Sequence, residues 1–341
     1  MTKAREITLP APSRRAVLIG GAGIVAGYAA PAIAQTAPKR VVVASVAPPY
    51  EASSVAFAWM AKEINEKSKG SIEFEFHPGT LITKEIEIIN AVKTGSIAAG
   101  TPSGASATTF PEINVLLSPY LVRDYAHAYR VLNGPIGDAI DAQIQSKYQC
   151  KVLLYFDLGF RHFWNNKRPI NEPKDLNGLR IRVQQAKVFA DTVSGLGANA
   201  VPIAWNELYP AVQAGVVDGG DLPIVNQLLL KTYEVAKYSS LTYHNYSPTM
   251  LVMNLGVWNG FSKEQQEIIR EAARGAQQRV REATESVDSL AKAKELLEPK
   301  GMIVNGAQLD PFRKLAQEKI WPAYQKLYPD LWDKIVKAAE V

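Results

Sequence analysis

The chain has 341 residues, 47% hydrophobic, 9% aromatic and 21% charged, which excludes a disordered or fibrous protein and suffices for one large core or two ordinary ones. Its formal charge is +5, but the first 34 residues hold four of the 38 basic residues and one of the 33 acids. The remaining balance of +2 marks neither a nucleic-acid nor an anionic-membrane surface.

Residues 1–34 read as a signal peptide. Lys3, Arg5, Arg14 and Arg15 precede a small, apolar run over 17–30, and Ala32-Ile33-Ala34 supplies a small-x-small cleavage pattern. Ser13-Arg14-Arg15 resembles a twin-arginine export motif that lacks the usual following aromatic residue. The apolar run is too short for a span of about 20 residues. The expectation is an exported protein, not membrane-embedded after signal removal. Cys150, the one cysteine, excludes an internal disulfide and reads as a small buried hydrophobe.

Beyond the signal, strands and helices alternate. Residues 40–45 read as a strand, 53–68 as a helix and 71–77 as a strand with Ile72, Phe74 and Phe76 on one face. A helix is predicted over 83–94, with Thr83 as N-cap and Gly95 as its stop, before a short apolar segment at 97–100. Strands at 151–156 and 179–183, helices at 187–196 and 206–214, and a strand from 216 continue the pattern. It predicts an α/β fold with mostly parallel sheet. From the Ser262/Gln265 capping box, helical spacing runs to about Glu298, roughly 50 Å if unbroken. Such a helix either bridges two lobes or kinks near Gly275.

The chemistry of an enzyme is missing. His77, His127, His162 and His244 occupy unrelated contexts, and neither a zinc pattern, a GxSxG elbow nor a phosphate loop occurs after the signal. The expectation is a non-enzyme without metal or cofactor.

One strand raises a different possibility. In Leu179-Arg-Ile-Arg-Val, period two places Arg180 and Arg182 on one face. An arginine fork bonds both oxygens of a carboxylate and stays charged, so one of the pair is a candidate anion clamp and the other a surface charge. Around this strand lie Gly159-Phe-Arg, Pro173-Lys-Asp-Leu-Asn-Gly, Leu196-Gly-Ala, Asn206-Glu-Leu-Tyr and Gly215-Val-Val-Asp-Gly. In this order and spacing they resemble the solute-binding proteins of TRAP (tripartite ATP-independent periplasmic) transporters, the DctP-like family.

The resemblance covers essentially the whole chain after the signal. It implies a two-lobed periplasmic-binding-protein-like fold, each lobe a sheet flanked by helices, with a long C-terminal helix bridging the lobes. Lobe I is expected over 36–158 and 248–287, lobe II over 159–247 and 288–341. The implied function is capture of an organic acid in the inter-lobe cleft and delivery to TRAP membrane permease subunits. The alternative is a ligand-presenting sensor subunit for a membrane receptor kinase.

Carried over position by position, the carboxylate clamp falls on Arg182, and Arg180 is left as surface. A second contact or brace falls on Arg161, and an aromatic residue packing on the solute falls on Trp205. Gln185 and Ala186 are expected to line the cleft. Where relatives carry a glutamate and a solute-contacting asparagine, this chain has Asp221 and Leu222, so Asp221 reads as a ligand contact or an inter-lobe group. Leu222 cannot hydrogen-bond a hydroxyl, which favours a more apolar acid over a sialic-acid-like one. Tyr155 and Asn226 are cleft candidates that also fit core and helix surface. Tyr50 and Ser103 sit where strands end, the usual crevice of α/β sheets.

Overall fold

The computed structural model describes residues 37–103 and 106–339. The expected export signal lies outside the described residues.

Alternation in the first strands becomes burial. Val41 and Val43 of β1 (Lys39–Ser45) and Ile72 and Phe74 of β2 (Ile72–Pro78) point into the core. The two strands are parallel, so the chain must cross over between them, and helix Ala52–Lys67 is that crossover. Helix Glu85–Thr94 then leads to β3 (Ala99–Gly100), parallel to β1 on its other side. Gly95 closes that helix in a left-handed conformation, as expected, but Lys84 rather than Thr83 occupies the N-cap.

A second parallel set repeats the plan. β5 (Arg180–Val183) lies between β6 (Asn199–Pro202) and β7 (Gly219–Leu222), with helices Lys187–Gly195 and Leu208–Gln213 as connections. Two long antiparallel strands, β4 (Cys150–Asn165) and β8 (Tyr238–Asn254), join the sets: β3 pairs with β8, and β7 with β4. β9 (Ile303–Gly306) runs parallel to β8. The order is β2-β1-β3-β8-β4-β7-β5-β6, with β9 on β8. The sheet is therefore mixed rather than mostly parallel. At about 3.3 Å per residue, strands of 16 and 17 residues span about 50 Å, enough to run through both lobes.

β4 is irregular midway. Its pairing with β8 shifts register between Asp157 and Phe160, and Gly159 there has φ +101°, a conformation that favours glycine. A Cβ at this position would meet Thr284, Tyr125 and Asp288 at 3.1–3.4 Å.

The expected long helix is two helices. The first, Lys263–Glu285, keeps its Ser262/Gln265 capping box and packs on helix Ala52–Lys67 and on β4. The second, Leu290–Leu297, packs on β9. The interruption is at 286–289, not at Gly275, where the missing side chain makes room for Trp59. Asp288 in the break accepts hydrogen bonds from Phe160 N (3.0 Å) and the Tyr125 hydroxyl (2.5 Å), and pairs with His162 Nε2 at 2.9 Å. Past β9, helix Leu309–Lys319 packs on Lys187–Gly195, while the last helix, Pro329–Ala338, packs back on Tyr125–Leu132.

Candidate functional site

The two arginines of β5 have opposite environments. Arg180 is exposed and clamps the turn before β7: its Nη2 donates to Asp218 Oδ1 (3.0 Å) and to the Gly215 carbonyl (2.9 Å). Arg182 is only 1% exposed. Its Nε donates to the Ile203 carbonyl at 2.8 Å, while Nη1 is buried without a partner among the described residues. Burial, reinforced by the charge of Arg161, pulls its pKa down to about 10. The charges of Asp221 and Glu85 offset only part of the cost of burying this cation, and a bound anion relieves more of it.

Arg161, at the β4 irregularity, is already satisfied. Its Nε and Nη2 donate to the two carboxylate oxygens of Asp221 at 2.7 and 2.9 Å, and Nη2 also donates to the Asp221 carbonyl. Burial alone would raise the Asp221 carboxyl; Arg161 and His244 outweigh it and hold the group at about 2. His244, pushed down to about 4 chiefly by burial, is neutral at pH 7. Its Nδ1 lies 2.9 Å from the Thr242 hydroxyl and its Nε2 3.3 Å from Asp221 Oδ2. The imidazole thus accepts from Thr242 and donates to Asp221. Phe163 stacks on its face at 4.1 Å.

Two adjoining cavities open beside these groups, between the strand ends of the two parallel sets. The larger, about 440 Å³, is lined by Arg182, Gln184, Gln185, Trp205, Lys84 and Glu85, among others. The smaller, about 50 Å³, reaches Arg161, Leu222, Asn226, Thr249, Ser103 and Glu51. They share Val46, Glu85, Gln184 and Trp205. Asn226 Oδ1 and Thr249 Oγ1 are buried and, like Arg182 Nη1, lack a partner among the described residues. Three buried polar groups without partners, one at the larger cavity and two at the smaller, fit a ligand site.

The fold thus brings Arg182, Arg161, Trp205, Leu222, Gln185, Asn226 and Ser103 to the cavities. The other candidates lie elsewhere. Asp221 is fully buried behind Arg161. Ala186 is buried at the N-cap of helix Lys187–Gly195. Tyr155 is in the core, its hydroxyl donating to the Gly137 carbonyl at 2.9 Å. Tyr50 is 74% exposed and lines neither cavity.

Comparison with known proteins agrees with this arrangement. Residues 43–328 match the family model DctP, bacterial extracellular solute-binding protein, family 7. The chain belongs to this family. A solute-binding protein of Verminephrobacter eiseniae is 33% identical over 87% of this chain and 88% of its own. Among solved structures, a TRAP periplasmic solute-binding protein of Bordetella bronchispeptica, with density attributed to pantoate, superposes with a TM-score of 0.82 at 27% identity, covering 88% of this chain and 99% of its own. One from Chromohalobacter salexigens with bound D-glucuronate gives 0.81 at 26%, covering 87% and 99%. The DctP chain is thus a two-lobed TRAP-type solute-binding protein of a periplasmic, non-enzymatic family. Among its described residues no helix is long and apolar enough to cross a membrane, and no group of acidic, histidine and cysteine side chains could hold a metal ion.

Sequence reasoning missed several lining residues of this DctP chain: Glu51, Glu85, Gln184 and Thr249. Glu51 follows the Pro48-Pro49-Tyr50 loop and was within reach of the strand-end argument. Thr249 lies on β8, which gives no clear alternation in the sequence.

Proposed function

We propose that this protein captures a small organic acid in the cleft between its lobes and hands it to the membrane permease subunits of a TRAP transporter. Arg182 holds the ligand carboxylate, Trp205 covers the solute, and Arg161, spent on Asp221, braces the wall. Residues 36–158 with 248–287 and 159–247 with 288–341 act as the two lobes and close by bending β4 and β8 near Gly159. The ligands of the structural relatives, pantoate and D-glucuronate, are hydroxylated monocarboxylates, and an acid of that size suits these cavities.

The observation that carries this reading is the buried Arg182 with its unpartnered Nη1. Charge-assisted hydrogen bonds contribute about 1.5–3 kcal/mol each, and micromolar affinity needs about 8 kcal/mol. One bidentate pair therefore supplies much of the binding. Arg182→Ala is expected to weaken binding at least a hundredfold by calorimetry, and Arg182→Lys, which keeps charge but loses the fork, is expected to bind poorly. Near-normal affinity in either variant would remove Arg182 from the site.

A further inference from the structure

The cavity is electrically asymmetric. Among the described residues, the only cationic group lining the smaller cavity is Arg161, whose charge Asp221 neutralises through two hydrogen bonds. The larger cavity adds Arg182 and Lys84, with Glu207 and the shared Glu85 as its acids, and Lys84 pairs with Glu87 at 3.0 Å. The wall contributed by residues 45–103 brings two acids to the smaller cavity, Glu51 and Glu85, and no cation among the described residues. Glu51 is without an ion-pair partner among them; its Oε1 accepts from Ser53 Oγ at 2.8 Å. It stands at the N-cap of helix Ala52–Lys67 but makes no side-chain capping bond, so helix capping does not account for the placement of its carboxylate. Burial raises its pKa, as expected for an acid with no cation beside it. Asn226 Oδ1, a second acceptor, also lacks a partner among the described residues at this end.

Resting on the carboxylate reading above, we infer that Glu51 is a specificity residue: it rejects a second carboxylate and selects monocarboxylic acids whose far end donates hydrogen bonds. A ligand anchored on Arg182 and reaching the smaller cavity places its far end among acceptors. A hydroxyl or amine there donates to Glu51 and Asn226. A carboxylate there meets a like charge in a partly desolvated space, with Arg161 already neutralised. A built-in repulsive group thus discriminates in addition to the contacts that a diacid lacks.

The test is calorimetry of the purified protein and its Glu51→Gln variant against matched pairs: ω-hydroxy acids and α,ω-diacids of four to six carbons, 5-aminopentanoate beside glutarate, and D-gluconate beside D-glucarate. Glutamine preserves the shape and the acceptor for Ser53, and thermal melting checks that the variant is folded. The expected result is at least tenfold preference for the hydroxy or amino acid over its diacid, shrinking to within about threefold in Glu51→Gln through tighter diacid binding. Diacids bound as tightly as their partners by the unaltered protein, or a preference unchanged in the variant, would overturn the assignment of Glu51. Failure of every acid in both proteins would overturn the carboxylate reading itself, and with it this inference.

Discussion

Taking a guanidinium out of water costs several kcal/mol unless an anion goes with it. β5 imposes this cost at Arg182, while Arg180, two residues away, stays exposed beside Asp218. Asp157 is a second residue held against solvation. It is 1% exposed, its carboxylate oxygens lack hydrogen-bond partners among the described residues, and Arg281 Nε approaches only to 3.8 Å. Burial raises its pKa to about 7. Between its unfolded value, about 4, and 7, the folded state binds more protons than the unfolded state. This group's contribution therefore falls as pH rises through that window and is flat above it. In Asp157→Asn the term is absent. Whatever the offset at pH 4, the stability of the variant relative to the unaltered protein is expected to climb between pH 4 and 7 and then level off. Urea unfolding across that range checks this, and a difference that declines with pH would contradict it.

At the scale of elements, helix Lys263–Glu285 offers a direct trial of packing against propensity. Replacing a helical glycine by alanine ordinarily gains about 1 kcal/mol. At Gly275 the new Cβ would lie 2.5 Å from the Trp59 ring, and an indole that retreats from it disturbs its contact with Arg279, stacked over the ring at 3.7 Å. Overpacking typically costs about 1–3 kcal/mol. Gly275→Ala is expected to lower stability in urea by roughly 1 kcal/mol or more, and a stabilised variant would show that Trp59 moves freely. Short-range pattern made β1 and β2 legible, because their alternation faces one dominant environment, while β5 and the capping box of this helix were legible from local residue types, although the two same-face arginines of β5 end in opposite environments. β8 was not legible: it is buried along nearly all its length, so polar Ser239, Ser240, Thr242 and His244 sit inside with the apolar residues, and Pro248 interrupts its hydrogen-bonding capacity. The break at 286–289 was hidden too, since Asp288 gains its partners Tyr125, Phe160 and His162 only once β4 and the helices are assembled.

For the whole molecule, the family resemblance located Arg182 and Trp205 at the cavity, but it could not show that Asp221 neutralises Arg161 or that Glu51 faces the opposite wall. Both depend on residues brought together across the sheet. β4 and β8 carry the chain between the parallel sets, and β4 shifts its register on β8 near Gly159, where Asp288 holds Phe160 and His162. A ligand bound only by the folded protein stabilises it by mass action, by about 2.7 kcal/mol at a hundredfold excess over Kd. The central claim, that the cleft is built for a carboxylate, is tested most directly by thermal melting with a panel of small organic acids beside their methyl esters and uncharged sugars. At least one acid is expected to raise the melting temperature by several degrees while its ester does not. Stabilisation by neutral compounds alone would contradict the account.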